Sequence, residues 1–332
     1  MDTPRSAPFD RIERVSIRLP RVSPLVSIVI PCYNQGNYLA QAIESVLSQD
    51  YARVELIVLD DGSTDGTKAV LAARAGRFRW ESHANVGQAA TLNKGWRMAK
   101  GGILSYLAAD DFLLPGAVGK SVEKLVANPT AVLTYPDYEL VDPRSRTVRR
   151  VRTRDFSYRD LAVGLFCQPG PGVFLRREAF DRAGPWNETL KQIPDYEYWL
   201  RLGLEGAFLR IPEVLAAYRA HDQSQSFAPV NPNRAEEIIQ VISSHFRNDR
   251  LPPEIARAER EAKSNAHILA ARLHLRSSRQ SAALKHIGQA FRLHPACFLR
   301  PRTWHLIVDG LFNRIGHRLL WRFNRLFSRD ER

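Results

Sequence analysis

Three short apolar runs, each ending in a polar cluster, constrain the fold of this chain more than any other feature. Val26-Ser27-Ile28-Val29-Ile30 is stopped by Pro31 and opens onto Cys32-Tyr33-Asn34. Val54 to Leu59 runs into Asp60-Asp61-Gly62-Ser63, and Ile103 to Leu107 runs into Ala108-Ala109-Asp110-Asp111. Brief Val- and Ile-rich runs bounded by turn formers read as buried strands. Between them the period changes. Leu39, Ala42, Ile43, Val46 and Leu47 predict a helix, Thr64 or Asp65 can cap a second carrying Val70 and Leu71, and a third spans Gln88 to Ala99. A weaker strand near Phe78-Arg79-Trp80, a helix over Val118 to Val126 and a strand at Ala131 to Tyr135 continue the series. Alternating strands and helices predict an α/β fold with a mixed, mostly parallel central sheet covered on both faces. Ligands of such sheets sit beyond the carboxyl ends of the strands. The three polar clusters therefore share one edge.

The acidic pairs on that edge suggest a chemistry. Adjacent carboxylates repel unless a cation or hydrogen bonds offset their charge. A hard divalent cation bridging diphosphate oxygens needs only one or two protein carboxylates, because phosphate and water complete its shell. Asp110-Asp111 at a strand end meets that need; two solvated carboxylates in a loop is the plainer alternative. Asp60-Asp61-Gly62 is also compatible with an ordinary Asp-Gly turn.

Taken in order, these pieces resemble glycosyltransferase family 2. The likeness begins with VSIVIPCYNQGNYLAQAIESVLSQDYARVELIVLDDGSTDGT over Val26 to Thr67, then passes through Asn85-Val86-Gly87, Asn93-Lys94-Gly95 and Leu107 to Asp111. It continues at Gly184-Pro185-Trp186-Asn187-Glu188 and Asp195-Tyr196-Glu197-Tyr198-Trp199. The resemblance covers roughly residues 25–225 and implies a GT-A (nucleotide-diphospho-sugar transferase) fold. It also implies an inverting, hexosyltransferase-like enzyme and a glycan product of the cell-surface kind.

Carried over position by position, it places Pro31, Tyr33 and Asn34 in the nucleotide pocket. An acid of Asp60-Asp61 accepts from the base, Asn85 frames it, and Asp110 contacts ribose or phosphate. Asp111 ligates Mn²⁺ or Mg²⁺, and His221, in Tyr218 to Ser226, completes the metal site. Asp195 is implied as the general base that deprotonates the acceptor hydroxyl. It sits at the start of a helix reading Asp195 to Leu204, where the dipole favours an ionised carboxylate and where an N-cap role is the simpler alternative. Three positions depart from the family pattern. Pro194 stands where an acid often precedes the catalytic Asp, Ala108 where another Asp is common, and Leu92 where Arg is frequent.

The last quarter has a different composition. From Lys263 to Arg332 there are 14 Lys and Arg against three acids, a net +11 out of +13 for all 332 residues. Ala266 to His294 reads as a helical hairpin broken at Ser277-Ser278. From Trp304 to Arg329, Ile307, Val308, Leu311, Phe312, Ile315, Leu319, Phe323, Leu326 and Phe327 keep helical spacing. Arg314, Arg318, Arg322, Arg325 and Arg329 form a separate stripe. Such a helix suits an anionic bilayer surface; docking on the catalytic domain is the alternative.

The expected organisation is thus a flexible extension over 1–24, a catalytic domain over 25–228 and a basic helical C-terminal appendage over 229–332. No apolar run reaches the roughly 18 residues of a spanning helix, and the first 24 residues carry no signal-peptide core. Cys32, Cys167 and Cys297 are odd in number and lack metal-ligand spacing, so free thiols in a reducing compartment are expected. The expected location is cytoplasmic, peripheral on the inner face of the cell membrane. The expected partners are a nucleotide-sugar donor and a glycan or lipid-linked acceptor. No zinc-finger or RNA-recognition motif points to nucleic acid, and no G-x-G-x-x-G follows the first strand to point to a dinucleotide. The competing class is a non-catalytic nucleotide-binding and membrane-recruitment module with a decayed sugar site.

Overall fold

The computed structural model of the chain describes residues 23–221, 224 and 230–312. The extension over 1–22, Asp222, Gln223, Gln225, Ser226 and the arginine stripe from Arg314 onward lie outside these residues. In chain order, β1 (Val26–Cys32), α1 (Gly36–Leu47), β2 (Val54–Asp60), α2 (Thr67–Ala72), β3 (Arg79–Ser82), α3 (Gln88–Met98) and β4 (Ile103–Tyr106) form a regular alternation. Then come β5 (Phe112–Leu113), α4 (Ala117–Ala127), β6 (Ala131–Val141), β7 (Thr147–Val151), α5 (Tyr158–Ala162) and β8 (Phe174–Arg176). The next elements are α6 (Arg177–Ala183), α7 (Pro194–Leu202) and β9 (Ala207–Arg219). Helices α8 (Pro232–His245), α9 (Pro253–Ala256), α10 (Glu259–Arg276) and α11 (Gln280–Leu293) follow, with a 3₁₀ turn over Pro295–Leu299 and a helical stretch over 301–312.

The strands make one sheet in the order β3-β2-β1-β4-β8-β6-β9-β5, with β7 added on β6. β3, β2, β1 and β4 are mutually parallel, as are β6 and β9, while β8, β5 and β7 join antiparallel. Every residue of β1 is buried, as expected of a central strand covered on both faces. Its side chains alternate between two cores. Val29, with Ile57 and Leu59 of β2, meets Leu92 and Trp96 of α3, while Ile28 and Ile30 meet Leu39 and Ile43 of α1. The helical period read from the sequence is the one that packs: Leu39, Ala42, Ile43 and Val46 are the buried face of α1.

Pro31 does not end β1; the strand continues through it to Cys32. Val29 accepts from Leu107 N–H on the β4 side, and Cys32 accepts from Asp61 N–H on the β2 side. Backbone groups alternate sides along a strand, so the Pro31 nitrogen faces β4, whose pairing with β1 ends at Val29–Tyr106. No ladder bond is lost there. Likewise, the strand expected over Ala131 to Tyr135 runs on to Val141, and its register on β9 shifts at Pro136–Asp137.

Two of the sequence clusters hold the scaffold together. The buried Asn93 amide donates to Trp186 O (2.9 Å) and to the Glu188 carboxylate (2.9 Å), and its oxygen accepts Trp186 N–H (2.9 Å). This ties α3 to the loop ahead of α7. Around it, Trp96 makes edge contacts with Phe180 and Trp186, at centroid distances of 5.3 and 6.1 Å. Helices α8 and α10 extend the same core through Ile238, Ile242, Ala266 and Ala270. The three cysteines form no disulfide, and no helix among the described residues is long and apolar enough to cross a membrane.

Gly95 lets α3 lie close on the sheet, since a Cβ there would stand 2.4 Å from Val29 Cγ1. Ala is the better helix former by about 1 kcal/mol, but overpacking costs about 1–3 kcal/mol. Gly95→Ala is therefore expected to destabilise by about 1 kcal/mol in urea unfolding, and Val29→Ala in the same chain should relieve part of that loss.

Candidate active site

The ends of β1, β2 and β4 open into one cavity of about 1250 Å³. Pro31, Tyr33, Asp61, Asn85, Asp110, Asp111 and Asp195 all line it. Asn34, Asp60 and His221 do not line it.

The β2 end shows how adjacent acids divide their work. Asp60, fully buried, accepts Ser63 N–H (3.0 Å) and the Ser82 hydroxyl (2.7 Å). It closes the turn. Asp61 faces the cavity and accepts the N–H groups of Val86 (2.7 Å) and Gly87 (2.9 Å), while the Asn85 amide donates to Asp61 O (3.0 Å). Gly87 has φ +94°, a region that favours glycine. Asn34 acts as a staple, with N–H on Ser63 Oγ (2.9 Å) and Oδ1 accepting Thr64 N–H (2.8 Å).

The β4 end is held by a buried cation. Arg219, the last residue of β9, is 1% exposed. Its guanidinium donates to Asp110 O (2.8 Å), Asp142 O (3.1 Å), Ser145 Oγ (3.0 Å) and Gln41 Oε1 (2.7 Å), and it lies over the Tyr38 ring at 4.6 Å. Its own N–H donates to Asp111 Oδ1 (2.9 Å). His221 Nε2 meets Asp110 Oδ2 at 2.9 Å. Burial, then the neighbouring Asp110 charge, pushes Asp111 well above the usual carboxylate range against the opposing pull of Arg219. The Arg219 guanidinium is spent on carbonyls, so it caps neither carboxylate. This hard-oxygen pair fits a divalent cation.

Asp195, also on the cavity lining, occupies the first turn of α7 with Pro194 at its N-terminal position, where a missing N–H costs nothing. Removal from bulk solvent raises the Asp195 pKa, and the Tyr196 N–H opposes that rise. The Tyr106 phenol, raised first by its own burial, also senses the charges of Asp195 and Asp111. It therefore stands within electrostatic reach of both.

Several wall residues carried no readable role in the sequence. Lys191 and Gln192 precede α7, Arg234 comes from α8, Arg272 from α10, and His305 and Asp309 from the last helical stretch. The C-terminal helices thus form part of the cavity wall. Arg219 sits inside the Tyr218 to Ser226 motif, but neither its burial nor its many partners could be read from a pattern.

The family model described as Glycosyl transferase family 2 matches residues 27–184. An uncharacterized glycosyltransferase of Rickettsia typhi is 32% identical over 222 residues, which are 63% of this chain and 68% of that one. A chondroitin synthase of Pasteurella multocida is 27% identical over 67% of this chain, but the match spans only 23% of that longer protein. Among solved structures, S. aureus TarS 1-349 in complex with UDP-GlcNAc superposes with a TM-score of 0.61 at 16% identity, over 89% of this chain and 92% of that one. The mannosyltransferase PcManGT from Pyrobaculum calidifontis, in complex with GDP-Man and Mn2+, gives 0.57 at 20% identity over 90% and 88%. At these identities the structural likeness is one of fold, the GT-A fold.

Removing the Arg219 guanidinium leaves buried carbonyls without donors, a loss of about 3 kcal/mol or more. Arg219→Met should show that loss in urea unfolding, and Arg219→Lys should recover less than half of it because an ammonium cannot span the same partners.

Proposed function

The chain belongs to glycosyltransferase family 2, and we propose that it is an inverting enzyme. In this reading it moves a sugar from a nucleoside-diphosphate donor to a hydroxyl of a glycan or lipid-linked acceptor. Residues 25–228 carry the catalytic domain and 229–332 the basic helical region. The observation that carries the proposal is the convergence of Asp61, Asp111 and Asp195 on one cavity.

Pro31, Tyr33, Asp61 and Asn85 receive the nucleoside, with Asn34 and Asp60 holding their loop. Asp110 faces ribose or phosphate. Asp111, with His221 close by through Asp110, would hold Mn²⁺ or Mg²⁺, which when bound would supply positive charge for the departing diphosphate. In the same cavity, the Asp195 carboxylate accepts the acceptor's hydroxyl proton as that oxygen attacks the anomeric carbon. There Trp186 Nε1 and Gln192 Oε1 are buried without a protein partner. A donor and an acceptor of this kind suit sugar hydroxyls. The solved structures named above were obtained with UDP-GlcNAc and with GDP-Man and Mn2+, which supports a nucleotide-sugar donor and a divalent ion. The non-catalytic reading is not favoured, since similar proteins are named glycosyltransferase and chondroitin synthase.

Membrane contact is a second element of the proposal. Trp304, Val308, Leu311 and Phe312 are exposed on the last helical stretch, at spacings that share one helical face. The basic composition of residues 263–332 complements an anionic surface. Co-sedimentation with phosphatidylglycerol vesicles is expected at low salt and should fall as salt rises; a chain that stays in solution at low salt defeats this element.

Asp195 supplies the decisive measurement. Its folded pKa lies above its unfolded value, so the protonated form favours the fold. That contribution fades as pH rises from the unfolded value through the folded one. Catalysis needs the ionised form, so transfer should be lost on acidification at a pH above the ordinary aspartate value of 3.8. Asp195→Asn should cut kcat by about 100- to 10,000-fold while keeping nucleoside-diphosphate binding and equal or higher thermal stability at neutral pH. Unchanged turnover in that variant rules out the assigned base.

A further inference from the structure

We infer that Glu237, on α8 and beyond the matched family region, is a positioning residue for the Asp195 side of the cavity. It holds the backbone of residues 191–193 and thereby the start of α7. The inference rests on the transferase reading.

The carboxylate is 7% exposed. One oxygen accepts Lys191 N–H (2.9 Å); the other accepts Gln192 N–H (2.7 Å) and Ile193 N–H (3.2 Å). Three successive backbone donors therefore converge on one side chain from 44 to 46 residues further along the chain. Helix starts carry unsatisfied N–H groups, and the N-cap of α7, Ile193, has no side-chain cap of its own. Pro194 contributes no donor. Glu237 thus serves in trans as the anion at this helix entrance, where the dipole favours negative charge. The segment it holds is functional surface, since Lys191, Gln192, Pro194 and Asp195 all line the cavity. Lys191 Nζ also reaches toward Gly87, 3.1 Å from where a Cβ would stand. The loop consequently approaches the nucleoside wall as well as the base.

Helix α8 is itself pinned by the adjacent acid. Glu236 Oε1 meets His274 Nε2 (2.9 Å) on α10 and His286 Nε2 (2.8 Å) on α11. These three groups bring metal-ligand atoms within 4.8 Å of one another, but proton placement assigns them another role. Arg279 Nε donates to His274 Nδ1 (2.8 Å), and arginine can only donate. The neutral His274 ring therefore carries its proton on Nε2, directed at Glu236. The junction is a hydrogen-bonded anchor, and its neighbour Glu237 transmits that anchorage to the loop.

The test uses the full chain. Backbone hydrogen exchange should show Lys191, Gln192 and Ile193 protected in the native protein, and Glu237→Ala should raise their exchange about tenfold or more while the rest of the α7 core stays protected. Displacement of a catalytic group by about 1 Å can cost 100-fold. The Ala variant should therefore lower kcat about 10- to 100-fold, with donor KM changed less than about threefold. Glu237→Gln keeps the shape but sets an amide donor against a backbone donor, so it should fall between native and Ala; it also serves if Ala does not fold. Ile242→Val, elsewhere on α8 and fully buried, is the control for simple destabilisation and should keep kcat within about twofold at comparable loss of Tm. Unchanged exchange in the Glu237 variants, or a kcat loss no larger than in the control, overturns the inference. If the native chain turns over no nucleotide sugar, the transferase reading fails, and the exchange result alone decides whether Glu237 holds the loop.

Discussion

The Arg219 guanidinium is the interaction on which the cavity wall carrying Asp110 and Asp111 depends. Three parts of the fold share it: the turn after β4, the bend between β6 and β7, and α1 through Gln41 and Tyr38. A buried cation needs full hydrogen bonding to offset its lost hydration, and here carbonyls and neutral side chains provide it. Asp110 and Asp111 beside it line the cavity and receive no hydrogen bond from the guanidinium on their carboxylates.

The sheet and its covering helices were legible because their signals are local. The alternation in β1 and β2 and the apolar stripe of α1 each lie within a dozen residues. The resemblance to family 2 began in that stretch and ran on through the motifs to Asp195–Trp199, and the structural likeness to TarS and PcManGT confirms the fold it implied. Pro31 shows where a local rule misleads. Proline ends a strand only if its nitrogen faces a partner, and which side it faces depends on the register between β1 and β4.

The division between Asp60 and Asp61 was not legible, because strand pleating sends one carboxylate into the turn and the other to the cavity. Arg219 and Glu237 were hidden for a different reason. Each acts on backbone groups many residues away, and a backbone N–H or C=O has no sequence signature. The wall residues on α8, α10 and the last helical stretch belong to this class as well. What looked like an appendage by composition shares a core with α3 and α7 through Ile238 and Ala266.

That shared construction limits how this enzyme can be rearranged. A chimera joining the β1–β9 sheet to a foreign tail would carry every strand-end acid yet leave three amides ahead of α7 without an acceptor. An incoming tail would have to bring its own carboxylate to that spot, as Glu237 does here.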